Sequence, residues 1–174
     1  MERNHFEGRT MHIDTSRRFK QIGDSSVAFK IVNSKIHRGL VLSNKLKREL
    51  DRDFGIDKNY PLLYAICIHR LIHDRLDMFD TLVACNDEDY SKMKKYLDYF
   101  FKGNKEYPNK KIMCIGDLRK ISGYSKIRSY ADGIANIYRR KALKPIHRRQ
   151  RGIELDICEI NYSIIKDIIG KIKM

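Results

Sequence analysis

The spacing of apolar side chains in this chain changes period near residue 44, and that change constrains the fold more than any other feature. Through residues 26–32, Val27, Phe29 and Ile31 alternate with Ala28, Lys30 and Val32. After Asn33-Ser34, residues 35–43 set Ile36, Arg38, Leu40 and Leu42 against His37, Gly39 and Val41. Period two is the signature of a strand, and two such runs across a short polar turn form a hairpin, read here as antiparallel. Residues 11–15 supply an earlier strand. From residue 45 the spacing is helical: Leu46, Leu50 and Phe54 fall at intervals of four, with Ser43 or Asn44 as a cap and Gly55 as a stop.

The rest of the chain alternates. Asn59-Tyr60-Pro61 opens a segment running to about residue 76, although the apolar run 62–68 reads equally as a buried strand; its length and the proline favour a helix. Residues 81–85 (TLVAC) form a short buried strand, and 90–101 a helix capped from the Asn86–Asp89 acidic turn. Residues 111–115 (KIMCI) read as a strand, 125–143 as a helix, 152–160 as a strand and 162–172 as a helix. A hairpin followed by strand–helix alternation predicts an α/β fold with a mixed sheet and helices on its faces. With 174 residues, three prolines, ten glycines and no repeat or linker, a single domain is expected.

Charge narrows the partners. The 36 Lys+Arg against 22 Asp+Glu leave a formal +14, which points to a polyanion, and nucleic acid is the expected partner. No run of about 18 apolar residues is present, and Met1–Thr10 lacks the apolar middle of a secretion signal, so no membrane partner and a cytoplasmic location are expected. Cys67, Cys85, Cys114 and Cys158 are far apart and without CxxC spacing, as expected of reduced, buried thiols. No GxxxxGK[ST] or GxGxxG loop occurs, so no small-molecule nucleotide cofactor is expected. His69 and His73 have the i, i+4 spacing of a zinc helix but lack the HExxH glutamate and a third ligand. Between Gly133 and Ile153 lie Arg139, Arg140, Lys141, Lys144, Arg148, Arg149 and Arg151 with no acid. Such a run is ordinarily a solvated face; as a function it is a track for phosphates, carried by Arg139, Arg140, Lys144, Arg148, Arg149 and Arg151. Tyr124, Tyr130 and Tyr138 have base-stacking chemistry, but tyrosines at helical spacing are more often core, and base reading is not indicated.

Four acids stand at chemically suggestive places: Asp14 in HIDTS, Glu49 in KLKRELDRDF, Asp87 in LVACND and Asp132 in SYADGIANIYRR. Each has a plain structural explanation beside the functional one. Asp14 fits a turn after a strand, Glu49 fits an i, i+4 pair with Lys45, and Asp87 fits a helix cap. Asp132, read as interior to a helix between Ala131 and Gly133, has poor propensity there and calls for a reason. Asp117, after the KIMCI strand, is a spare candidate.

This order of elements, with acids on the first strand, the first helix, the end of the fourth strand and a later helix, resembles the ribonuclease H-like (retroviral-integrase-like) superfamily over roughly residues 11–143. The ADG segment around Asp132 is similar to the "AD" helix of uncharacterised archaeal and bacterial members. The resemblance implies a five-stranded mixed sheet that begins as an antiparallel three-stranded meander, helices on both faces, and a small extension over residues 144–174. It also implies a divalent-metal-dependent nuclease acting on DNA, RNA or their hybrid. Asp14, Asp87 and Asp132 would be metal ligands and Glu49 would complete the catalytic set. Two Mg²⁺ or Mn²⁺ ions, about 3.5–4 Å apart in such sites, activate water and neutralise the leaving oxygen, and hard cations of this kind prefer carboxylate oxygens. The competing expectation is a non-catalytic nucleic-acid-binding module of the same fold, or a ribonucleoprotein subunit.

Overall fold

The computed structural model describes residues 8–122, 129–141, 149–150 and 153–172. Its centre is β1 (Thr10–Ser16), all seven residues of which are buried, as a strand covered on both faces must be. β1 pairs antiparallel with β2 (Ser25–Ile31), placing Asp14 opposite Ala28, and β2 pairs antiparallel with β3 (His37–Leu42). On its other side β1 runs parallel to β4 (Thr81–Ala84), with Ile13 opposite Ala84, and β4 runs parallel to β5 (Lys111–Cys114). The result is a mixed five-stranded sheet of order β3-β2-β1-β4-β5.

Period two divides that sheet into two faces. Met11, Ile13, Val27, Phe29, Leu40 and Leu42 enter the main core with the helix α2 (Tyr60–Ile72). Nine of the thirteen α2 residues are buried, so the ambiguous 62–68 run is a helix sheathed on most sides, opened by Pro61 in its first turn. α1 (Asn44–Phe54) is capped by Ser43, whose Oγ accepts from the Leu46 N–H at 3.1 Å, and is ended by Gly55 at φ 59°. α3 (Tyr90–Phe100) is capped by Asp89, not Asp87: the Lys92 N–H donates to its carboxylate at 3.1 Å. Asp87 is thereby left without a capping duty.

The opposite face carries α5 (Asp132–Lys141), with Ala28, Ala135 and Tyr138 buried together beside Val41 and Ile157. Gly39 is required here, because a Cβ at that position would lie 2.5 Å from Cγ of Tyr138. Tyr138 is therefore a core residue and no stacking platform; Tyr124 lies outside the described residues.

Three boundaries differ from the sequence expectation. The chain passes from β5 straight into α4 (Ile115–Ser122), whose first residue belongs to the apolar KIMCI run and whose second is Gly116. α5 begins only at Asp132, after Asp132 N–H donates to the Ser129 carbonyl at 3.3 Å; the earlier part of the expected 125–143 helix, 125–128, lies outside the described residues. The expected strand over 152–160 reduces to a two-residue pairing of β6 (Arg149–Gln150) with β7 (Ile153–Glu154). Beyond it the tail touches the β3 edge at one point, where Gly39 N–H donates to Asp156 O at 3.1 Å and Cys158 N–H to Gly39 O at 2.8 Å. Arg38 and Arg75 hold the tail there through Asp156, at 3.5 and 3.0 Å, and α6 (Tyr162–Ile172) closes the chain. Among the described residues no helix is long and apolar enough to cross a membrane. All four cysteines are free.

Candidate functional site

β1 and β4 run side by side in the same direction, yet the chain leaves them toward opposite edges of the sheet: from β1 to β2, and from β4 through α3 to β5. Such a reversal opens a crevice at the carboxyl ends of the two strands. Asp14 and Asp87 sit there. Ligand atoms of Asp14, Cys85 and Asp87 all lie within 4.8 Å of one another, the one such group of three or more metal-ligating side chains among the described residues.

The two carboxylates are held differently. Asp14 is only 9% exposed, and its Oδ1 accepts the Thr15 N–H at 2.8 Å. Burial raises its pKa and the neighbouring Asp87 charge adds to the rise, against the bonds from Thr15, Cys85 and Ser129. Asp87 is more open. Its Oδ2 accepts the Thr15 hydroxyl at 2.5 Å and lies 3.8 Å from the Cys85 thiol, while its Oδ1 is 3.5 Å from Nε of Arg18. Burial, then the charges of Asp14 and Asp87, push the Cys85 thiol up to about 12, and Tyr64 OH meets its sulfur at 3.1 Å. At neutral pH Cys85 is a protonated thiol, so the hard oxygen donors dominate the group.

The other sequence candidates are placed apart from this group. Glu49 is half-buried on α1 with its carboxylate 4.0 Å from Lys45 Nζ, the routine i, i+4 pair. Asp132 is the exposed first residue of α5, so the expected helix-interior position is corrected: an acid in a first turn is favoured by the helix dipole alone. Asp117, in the first turn of α4, accepts from the Cys114 thiol at 3.1 Å and pairs with Lys120 at 3.9 Å. His69 and His73 stack with centroids 5.5 Å apart, His69 also lying against Phe100 and Phe101, and among the described residues they gather no third ligand.

Of the basic track, Arg139 reaches β1. Its Nε donates to Ser16 Oγ at 2.9 Å, two residues along β1 from Asp14, and its guanidinium also reaches Asn136 Oδ1 at 2.9 Å. Arg140 is exposed on α5, and Arg149 lies in β6 opposite Glu154. Lys144, Arg148 and Arg151 lie outside the described residues. Tyr130 is exposed and presents its ring edge-on to buried His12 at 5.2 Å.

Sequence reasoning missed three participants: Thr15, Cys85 and Lys47. Lys47 is 4% exposed, and its ammonium donates to Phe19 O at 3.1 Å, Gln21 O at 2.8 Å and Ser25 Oγ at 2.9 Å. A signal existed, because Leu46, Lys47, Leu50 and Phe54 fall at i, i+1, i+4 and i+8 on one arc of α1. No family model matches the chain, and no curated protein matches it.

Proposed function

We propose that this protein is a divalent-metal-dependent nuclease of the ribonuclease H-like class, hydrolysing phosphodiester bonds at the carboxyl ends of β1 and β4. The observation that carries the reading is the convergence of Asp14 and Asp87, 73 positions apart in sequence, at the reversal point of the sheet. The mixed sheet that starts as an antiparallel meander supports it, as do acids on the first strand and just past the fourth, two of the places the resemblance implies.

The donor set fits Mg²⁺ or Mn²⁺. Two carboxylates and a nearby threonine hydroxyl are hard oxygen ligands, and the thiol beside them is held protonated. The raised pKa of Asp14 marks a carboxylate short of positive charge, which a bound cation would supply. Asp14 and Asp87 would hold the metal, whose chemistry there is to acidify water and neutralise a leaving oxygen. Thr15 keeps both acids in register, donating its N–H to one and its hydroxyl to the other. Arg139 and Arg140, on the helix above Asp14, would meet the phosphate backbone, in keeping with the net charge of +14.

A second reading has one observation in its favour. Asp87 is already paired with Arg18, and Glu49 and Asp132 stand outside the group, an arrangement that also suits a non-catalytic nucleic-acid-binding module. Cleavage assays separate the two. Labelled single-stranded, duplex and hybrid substrates are incubated with and without Mg²⁺ or Mn²⁺, using wild type, Asp14→Asn and Asp87→Asn. The nuclease reading expects metal-dependent cleavage of at least one substrate, lost in both variants while binding persists. No cleavage by wild type, or undiminished cleavage by Asp14→Asn, refutes it.

A further inference from the structure

The loop between β1 and β2, residues 17–24, brings Arg18 to Asp87 and is fixed by hydrogen bonds along its length. Lys47 grips the carbonyls of Phe19 and Gln21, and Gly23 N–H donates to Asn44 Oδ1 at 3.0 Å while Asn44 N–H donates to Asp24 Oδ1 at 2.8 Å. Phe19 is buried against Tyr60 and Tyr64. Arg17 adopts φ 67°, unusual for a residue with a side chain, and its guanidinium is tied to the Ile22 carbonyl at 2.5 Å. Between these anchors Arg18 closes a tight turn with Gln21: Arg18 N–H donates to Gln21 Oε1 at 3.2 Å, and Gln21 N–H to Arg18 O at 3.0 Å.

The backbone of Arg18 is thus pinned on both sides, while its side chain is 52% exposed and ends 3.5 Å from Asp87 Oδ1. A rigid loop that delivers a half-solvated guanidinium to a carboxylate of the candidate metal site sets up a competition. Arg18 and a divalent cation want the same oxygens. Guanidinium groups also bind phosphate as readily as carboxylate, through the same planar fork of donors.

We propose that Arg18 is a built-in counter-cation of this site: it neutralises Asp87 until a divalent cation displaces it, and the released guanidinium then binds a phosphate of the nucleic-acid backbone. The inference rests on the reading of Asp14 and Asp87 as metal ligands. Its consequence is a coupling that runs both ways. A cation that takes Asp87 frees Arg18 for phosphate, and a phosphate that draws Arg18 away leaves Asp87 open to the cation; thermodynamic linkage makes the two effects equal. Metal and substrate therefore favour each other's binding before any chemistry occurs.

The test is direct titration of Mn²⁺ into the whole chain, with free Mn²⁺ followed by electron paramagnetic resonance, for wild type, Arg18→Gln and Lys20→Gln. Removing the competitor should tighten Mn²⁺ binding about three- to fivefold, the upper range for one solvent-facing ion pair. Lys20→Gln removes a charge from the same loop without freeing Asp87 and should leave the affinity unchanged. In a second arm, binding of an oligothymidine is measured against salt with Ca²⁺ present. There Arg18→Gln should lower the slope of log affinity against log salt by about 0.7, the contribution of one phosphate contact on a single strand. If Arg18→Gln binds Mn²⁺ as wild type does, or Lys20→Gln tightens it equally, or the salt slope does not move, the counter-cation role fails and the metal site stands. If neither wild type nor Arg18→Gln binds Mn²⁺ saturably, the metal reading itself has failed.

Discussion

Replacing Lys47 by Met tests whether the site's loop is held as described. The substitution keeps the length and most of the volume of the side chain but removes three hydrogen bonds from a buried ammonium. Two effects oppose each other. Burying the charge costs the native state several kcal/mol, which Met relieves, and burial already pulls the Lys47 pKa down. Against this, the three acceptors lose their donor. The Gln21 carbonyl is on an exposed residue and can take water, but Ser25 is 0% and Phe19 3% exposed, so both of those acceptors stay dry. Two orphaned buried acceptors at about 1–3 kcal/mol each cost about 2–6 kcal/mol, the charge that Met relieves offsets about 1–2 kcal/mol of that, and the net loss is about 1–4 kcal/mol. For a chain of this length each kcal/mol is worth about 2–4 °C, so 3 kcal/mol corresponds to a fall in Tm of about 6–12 °C. Differential scanning calorimetry of Lys47→Met beside Lys45→Met reads the result, since Lys45 is exposed and its change should stay within about 0.5 kcal/mol. Equal melting of the two variants would mean that the loop is held by Phe19 packing alone.

Other outcomes follow from the same structure. Gly39→Ala drives a methyl into the Tyr138 ring and should cost about 1–3 kcal/mol in urea unfolding; a neutral result would put Tyr138 elsewhere. His69, which burial pushes down from 6.5 to about 4, stays neutral in the fold while the unfolded chain takes up a proton. Its contribution is therefore intact above pH 6.5 and lost as pH falls toward 4, about 3 kcal/mol in all, and His69→Phe should flatten that limb of the stability–pH curve. Asp14 has the opposite sign: its pKa is raised in the fold, so as pH climbs past that value the ionised carboxylate destabilises the native state. Asp14→Asn should accordingly raise the metal-free Tm at pH 7 and abolish any rise on adding Mn²⁺; a lower Tm with the Mn²⁺ response kept would contradict the assignment.

The two acids that converge lie on or just past the two central, buried strands, β1 and β4. Asp14 follows Ile13 within β1, two residues before its end, and Asp87 lies just past TLVAC; the strands are legible in the sequence, while the choice of these two acids rests on the resemblance. Asp132 was misplaced for a specific reason: Ile127, Ala131, Ile134 and Tyr138 continue a helical spacing through 129–131, where the chain turns instead, and apolar periodicity carries no mark of a helix start when the cap is a backbone bond from Asp132 to Ser129. α4 escaped notice because its first residue, Ile115, continues the apolar run of β5 and Gly116 follows at once, which reads as a break and not as a helix start. Thr15 and Cys85 were invisible as site members, since their roles come from the parallel register of β1 with β4, which no local pattern encodes.

The central claim is that Asp14 and Asp87 together bind a divalent cation, and anomalous diffraction at the manganese edge from crystals grown with Mn²⁺ tests it most directly. The account predicts a peak within about 2.0–2.3 Å of carboxylate oxygens from both residues, with the Arg18 guanidinium withdrawn from Asp87. Saturating Mn²⁺ with no peak between the two acids, and Arg18 still paired to Asp87, would contradict it.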